Sequence, residues 1–162
     1  MANPFKILLA DDHVMFRRGV RSLIQKMENV EVVGEAGDGL ELLRLLKDIH
    51  PHLVIMDISM PNLRGLEATR EIKILNPEIK VLILSMHKDR EYLYHALTAG
   101  AEGYLLKEDA DGELISAIES LRRGAQLDPP NDGEDVLAAD LPHREDPGGA
   151  PESARQDLLP VH

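Results

Sequence analysis

Four short apolar runs in this chain each end on a polar residue with chemistry to offer. Ile7-Leu8-Leu9-Ala10 ends on Asp11 and Asp12, Leu53-Val54-Ile55-Met56 on Asp57, Val81-Leu82-Ile83-Leu84 on Ser85, and Tyr104-Leu105-Leu106 on Lys107. Continuous apolar runs of this length, separated by helical patterns, are the mark of parallel strands buried on both faces. Open α/β sheets place their sites beyond the carboxyl ends of such strands. Three carboxylates, a hydroxyl and an amine are therefore expected at one edge of one sheet.

Strand and helix patterns alternate five times between residues 6 and 124, with strands expected near 6–10, 31–36, 53–57, 80–85 and 102–106. That alternation predicts a parallel sheet with helices on both faces and right-handed crossovers. Phe16, Val20, Leu23, Ile24 and Met27 form one apolar helical stripe, and Leu42, Leu45, Leu46 and Ile49 another. Leu114, Ile118 and Leu121 form the last, with Asp109 or Asp111 as its expected cap. Pro51 and Pro77 stand before the third and fourth strands, and Asp38-Gly39 and Gly100 where the chain should turn. Pro61 and Gly65 bracket a loop directly after Asp57, a common setting for function.

The composition bounds the answer further. A chain of 162 residues suits one domain with a sizeable core. Its net charge of −11 argues against a nonspecific grip on nucleic acid or anionic membranes. Without cysteine there is no disulfide, thiol redox chemistry or cysteine-ligated zinc. No apolar run approaches the roughly 18 residues of a membrane span, and no signal-peptide stretch precedes the first strand, so a cytoplasmic protein is expected. Residues 125–162 hold nine acidic and two basic residues and six of the ten prolines, a net of −7 that leaves −4 for residues 1–124. Such a segment cannot bury enough apolar surface to offset the entropy of ordering, so a folded domain over 1–124 and a disordered tail are expected.

The acids allow two readings. Asp11-Asp12 alone could be a helix N-cap with a solvated neighbour. If the first and third strands are adjacent, however, Asp11, Asp12 and Asp57 lie close together and repel, and a hard divalent cation such as Mg²⁺ resolves the conflict. Lys107 could snorkel to solvent; facing an acidic pocket it becomes a partner for a carboxylate or a phosphoryl oxygen. Phosphoryl transfer needs positioning and neutralisation of charge, which a metal, a lysine and a hydroxyl can supply. Asp57 is then the expected acceptor, as an aspartyl phosphate.

The set Asp11, Asp12, Asp57, Ser85, Tyr104 and Lys107 resembles the receiver domain of two-component response regulators, over residues 6 to about 124. The surrounding words, Leu-Ala-Asp-Asp-His at 9–13, Met-Asp-Ile-Ser-Met-Pro at 56–61 and Gly-Ala-Glu-Gly-Tyr-Leu-Leu-Lys at 100–107, are most similar to the NarL/FixJ branch. The resemblance implies a flavodoxin-like (βα)5 fold with strand order 2-1-3-4-5. It implies that Asp57 takes phosphate from a histidine kinase, that Asp12 and Asp57 bind Mg²⁺ with the Ser59 carbonyl, and that Asp11 supports the metal. By the same resemblance Ser85 senses the phosphoryl group, Tyr104 swings inward behind it, and Ser59 and His87 tune phosphate lifetime. Read without the family, Tyr104 is a half-buried strand aromatic and His87 a solvent-facing histidine.

Two departures stand out. Many receivers carry proline after the lysine where this chain has Glu108, and a cis peptide there would cost about 2.5–4 kcal/mol. NarL/FixJ regulators continue into a helix-turn-helix domain, whereas here the acidic tail follows and offers no basic recognition helix. The expected output is therefore another protein or a second copy of this chain, without direct nucleic-acid binding. Receiver action beyond self-phosphorylation and its reversal would not be enzymatic. A haloacid-dehalogenase-type phosphatase needs an aspartate where Ser59 stands, and a pseudo-receiver would not need the intact acids and lysine. The Gly-rich 34–39 segment follows the wrong strand for a dinucleotide fingerprint.

Overall fold

The computed structural model describes residues 3–124, so the expectation of a disordered tail over 125–162 lies outside the described residues. Five strands, β1 (Phe5–Ala10), β2 (Val30–Ala36), β3 (Leu53–Asp57), β4 (Lys80–Ser85) and β5 (Gly103–Leu106), form one sheet in the order β2-β1-β3-β4-β5. All four pairings are parallel. The helices are α1 (Val14–Gln25), α2 (Gly39–Leu45), α3 (Gly65–Leu75), α4 (Arg90–Thr98) and α5 (Ala110–Arg122), with a 3₁₀ turn over Lys107–Asp109 before α5.

Alternate residues along the central strands divide the core into two layers. Ile7, Leu9, Leu53, Ile55, Leu82 and Leu84 pack with Val20 and Ile24 of α1 and Leu114, Ile118 and Leu121 of α5. Leu8, Ala10, Val54, Met56, Val81 and Ile83 face the other way, onto Leu42 of α2, Ala68 and Ile72 of α3 and Ala96 of α4. Because both faces of β1, β3 and β4 are covered, their sequences read as unbroken apolar runs. The less protected edge strand β2 reads weakly, and its register against β1 shifts between Ile7 and Leu8.

Two local expectations are corrected, and a third holds in position only. His13, not Asp11 or Asp12, holds the N-cap position of α1, and its N–H donates to Asp11 Oδ1 at 2.8 Å. Helix α2 stops at Leu45, so Leu46 and Ile49 lie beyond it, yet both still pack on the core. Asp109 stands at the N-cap of α5 without a side-chain cap, and Asp111 lies within the first turn. Helix α4 ends on Gly100 at φ 109°, with Gly100 N–H donating to Leu97 and Ala101 N–H to Ala96, a termination that needs the left-handed conformation glycine allows. No peptide bond is cis among the described residues, Lys107-Glu108 included.

Candidate phosphoryl-transfer site

The central strands β1 and β3 are neighbours, with Ala10 paired to Met56, so the residues that follow each strand meet above the sheet. Asp11 and Asp57 are buried there, while Asp12 is exposed. Lys107 reaches in from the end of β5: its Nζ lies 2.9 Å from Asp11 Oδ2 and 3.4 Å from Asp57 Oδ1, with the side chain only 7% exposed. The same ammonium stands 4.5 Å from the centre of the Phe16 ring. Lys107 is thus enclosed between acids rather than snorkelling to water.

Burial pushes the Asp57 carboxyl above the usual carboxylate range, and the charge of Asp11 pushes the same way; Lys107 and the backbone N–H of Ser59 oppose them. Asp57 Oδ2 is buried and accepts no hydrogen bond, whereas Asp11 Oδ2 is met by the Lys107 ammonium at 2.9 Å. A buried carboxylate oxygen left without a donor is costly unless a cation or an incoming group completes it. One ligand atom each from Asp11, Asp12, His13 and Asp57 falls within 4.8 Å of the others. The three acids fit a hard divalent cation, which would take oxygen ligands here and keep several waters.

Ser85 ends β4 fully buried, and its Oγ accepts the His87 N–H at 2.9 Å. Tyr104 on β5 is half-buried, and its hydroxyl donates to the His87 carbonyl at 3.0 Å. Burial raises the Tyr104 phenol, with the Ser85 side chain pulling the other way. His87 is not the solvent-facing residue expected of it in isolation. It is half-buried, stacks on Tyr92 with ring centroids 4.2 Å apart, and has Nε2 3.5 Å from Ser59 Oγ. Ser59 itself is exposed on the loop after Asp57.

The sequence reading missed the frame around these residues. Arg17, one turn after His13, donates Nε to Glu35 at 2.8 Å and its Nη1 to the backbone carbonyls of Asp11 and Ala36, tying α1, β2 and the acidic turn together. Asp38 caps α2 by accepting from Glu41 N–H at 2.8 Å and also accepts from Asn62 at 2.7 Å, which holds the loop after Asp57 against the loop after β2. The proximity of His13 to Asp11 and Asp12 was visible, but only the fold turns its Nδ1 to within 3.0 Å of Lys107.

Comparison with known proteins agrees with this arrangement. Residues 7–119 match the response regulator receiver domain. The chain is 42% identical over 123 residues to the transcriptional regulatory protein DegU of Brevibacillus brevis, covering 75% of this chain and 52% of that protein. It is 43% identical over 126 residues to the oxygen regulatory protein NreC of Staphylococcus carnosus, covering 76% of this chain and 58% of that one. The chain thus spans somewhat over half the length of these curated relatives. The signal receiver domain of the response regulator NarL from Mycobacterium tuberculosis superposes with a TM-score of 0.72 at 32% identity, over 76% of this chain and 99% of that domain. An acid-and-lysine pocket at the carboxyl edge of a 2-1-3-4-5 sheet, carried by such a sequence, places this chain in the response regulator receiver domain family, with relatives of the NarL and DegU type.

Proposed function

We propose that Asp57 is the phosphoryl acceptor and that a histidine kinase is the donor. The observation that carries this reading is the Lys107 ammonium held between the buried carboxylates of Asp11 and Asp57, with Asp57 Oδ2 left without a hydrogen bond. That arrangement supplies a nucleophilic oxygen and a cation beside it. An Asp57 oxygen attacks phosphorus, the P–N bond of a phosphohistidine breaks, and the electron pair leaves on the imidazole nitrogen, which takes a proton from solvent.

Asp11, Asp12 and Asp57, with the Ser59 carbonyl, would hold Mg²⁺. When bound, it neutralises charge on the transferring group. Lys107 is positioned to exchange its contact with Asp57 for a phosphoryl oxygen, and the Ser85 hydroxyl to donate to another. Phosphorylation adds about one further negative charge and three acceptor oxygens. Drawing Ser85 toward them would loosen its hold on His87 and free Tyr104 to move, repacking the surface of α4, β5 and α5 over residues 88–122. The chain is then a two-state element whose populations the phosphoryl group shifts. A protein partner or a second copy of this chain reads that surface. No helix among the described residues is long and apolar enough to cross a membrane.

The test is incubation with acetyl phosphate and Mg²⁺, followed by intact-mass measurement. One phosphoryl group is expected, and none in Asp57→Asn. Beryllofluoride with Mg²⁺ should shift NMR resonances across 88–122 in the parent and much less in Ser85→Ala. A mimic that binds yet perturbs only the neighbours of Asp57 would remove the switch and leave a passive binding module.

A further inference from the structure

The receiver reading uses only oxygen ligands and leaves His13 without a role. The side chain is 53% exposed at the rim of the pocket, and its backbone N–H is anchored on Asp11 Oδ1. Its Nδ1 stands 3.0 Å from Lys107 Nζ, 3.1 Å from Asp11 Oδ1 and 3.5 Å from Asp12 Oδ1. An ammonium only donates, so the first contact needs a bare Nδ1; a carboxylate only accepts, so the others need an N–H. One tautomer cannot serve both. A divalent cation among these groups would take the Nδ1 lone pair and the carboxylate charges together, and would complete the buried, unpartnered Asp57 Oδ2.

We propose that His13 makes this pocket a site for Zn²⁺, with one nitrogen and three oxygen ligands from His13, Asp11, Asp12 and Asp57. The inference rests on the reading of the acids as cation ligands. Four candidate atoms already lie within 4.8 Å of one another. Zn²⁺ takes nitrogen and oxygen ligands at about 2.0–2.2 Å in tetrahedral sites, so the four atoms draw closer together around it. An imidazole favours Zn²⁺ over Mg²⁺, which is satisfied by oxygen alone. Zn²⁺ also competes with Lys107 for the same carboxylates. Zn²⁺ and Mg²⁺ draw on the same acids, so bound Zn²⁺ excludes Mg²⁺, and with four protein ligands it leaves no open position for a phosphoryl oxygen; Zn²⁺ thus opposes phosphoryl acceptance where Mg²⁺ supports it.

The full chain is titrated with Zn²⁺ and separately with Mg²⁺ by calorimetry, with ¹H–¹⁵N NMR observing the imidazole rings. Zn²⁺ is expected to bind at the pocket at least about 100-fold more tightly than Mg²⁺ and to shift the His13 ring signals. In His13→Asn the preference for Zn²⁺ over Mg²⁺ should fall at least about tenfold. A preference unchanged in that variant, or Zn²⁺ binding that leaves the His13 ring signals of the parent unmoved, overturns the proposal. If the variant does not fold, the parent's ring signals decide alone. Added Zn²⁺ should also slow the Mg²⁺-dependent uptake of phosphate from acetyl phosphate. No uptake with Mg²⁺ alone would refute the receiver reading instead, whereas normal uptake with an untouched His13 refutes only the Zn²⁺ site.

Discussion

The Tyr104 hydroxyl donates to the backbone carbonyl of His87 at 3.0 Å, while the N–H of that same residue donates to Ser85 Oγ at 2.9 Å. The hydroxyl and the aromatic thus grip one residue of the loop after β4 from its two sides. Moving Ser85 therefore pulls on the same peptide segment that the Tyr104 hydroxyl holds. Removing one grip should loosen the loop before any phosphoryl group arrives. Tyr104→Phe is expected to cost about 0.5–1.5 kcal/mol, the net worth of one such hydrogen bond. Amide resonances of 86–89 should move in the unphosphorylated variant. Thermal melts and NMR check this; an unchanged loop would mean that the bond does not restrain it.

Lys107 is the counterion that makes two buried acids tolerable. Its side chain is 7% exposed, and those of Asp11 and Asp57 are 6% and 3% exposed. Lys107→Ala leaves two facing carboxylates uncompensated and is expected to cost about 3–5 kcal/mol, the range for breaking a buried ion pair. Asp57→Asn in that background removes one of the repelling charges and should recover part of the loss. Denaturant melts of both single variants and the double variant form a cycle. Strictly additive losses would show that the two side chains do not interact.

Asp38 supplies a pH dependence with a definite sign. The Glu41 N–H and the Asn62 side chain both donate to its carboxylate and lower its pKa from the ordinary aspartate value. A group whose folded pKa is depressed gives stability present above its unfolded pKa and lost as pH falls through the folded one. The melting temperature of Asp38→Ala should therefore lie below that of the parent at neutral pH, and the gap should narrow as the solution is acidified below pH 4. A gap of constant size down to acid pH would remove the charge from the explanation and leave packing.

The parts of this molecule that the sequence reveals are those set by burial. β1, β3 and β4 lie between two helical layers, so Ile7–Ala10, Leu53–Met56 and Val81–Leu84 cannot be other than apolar, and the polar residues that end them stand out. Stripes such as Leu114, Ile118 and Leu121 are legible for the same reason. What is not legible depends on long-range geometry or on local competition between neighbours. Asp11 and Asp12 both could cap α1, but Asp11 is turned inward toward Lys107, far along the chain, and His13 stands at the N-cap position. The stack of His87 on Tyr92, the grip of Arg17 on the Asp11 carbonyl and the bond between Asp38 and Asn62 join loops whose approach no periodicity encodes. The end of α2 is missed because Ile49 keeps helical spacing and core contact after the helix has stopped.

Two glycines separate what the site requires from what it merely tolerates. Gly65 opens α3 directly beneath the loop that follows Asp57, and a Cβ there would lie 2.5 Å from the carbonyl oxygen of Asp57 and 2.8 Å from Ile58 Cα. Backbone cannot yield as a side-chain tip does, so Gly65→Ala should cost about 1–3 kcal/mol and displace Asp57 with it. Gly112 lies in the first turn of α5, where a Cβ meets nothing within 4 Å. There glycine brings only its entropy of unfolding and poor helix propensity, so Gly112→Ala should stabilise the domain by about 0.5–1 kcal/mol. Chemical denaturation of the two variants reads both signs, and phosphate uptake from acetyl phosphate should fall in Gly65→Ala while Gly112→Ala keeps it. Equal effects on stability would show that close approach at Gly65 is relieved elsewhere and that the backbone of the loop after Asp57 is softer than its contacts imply.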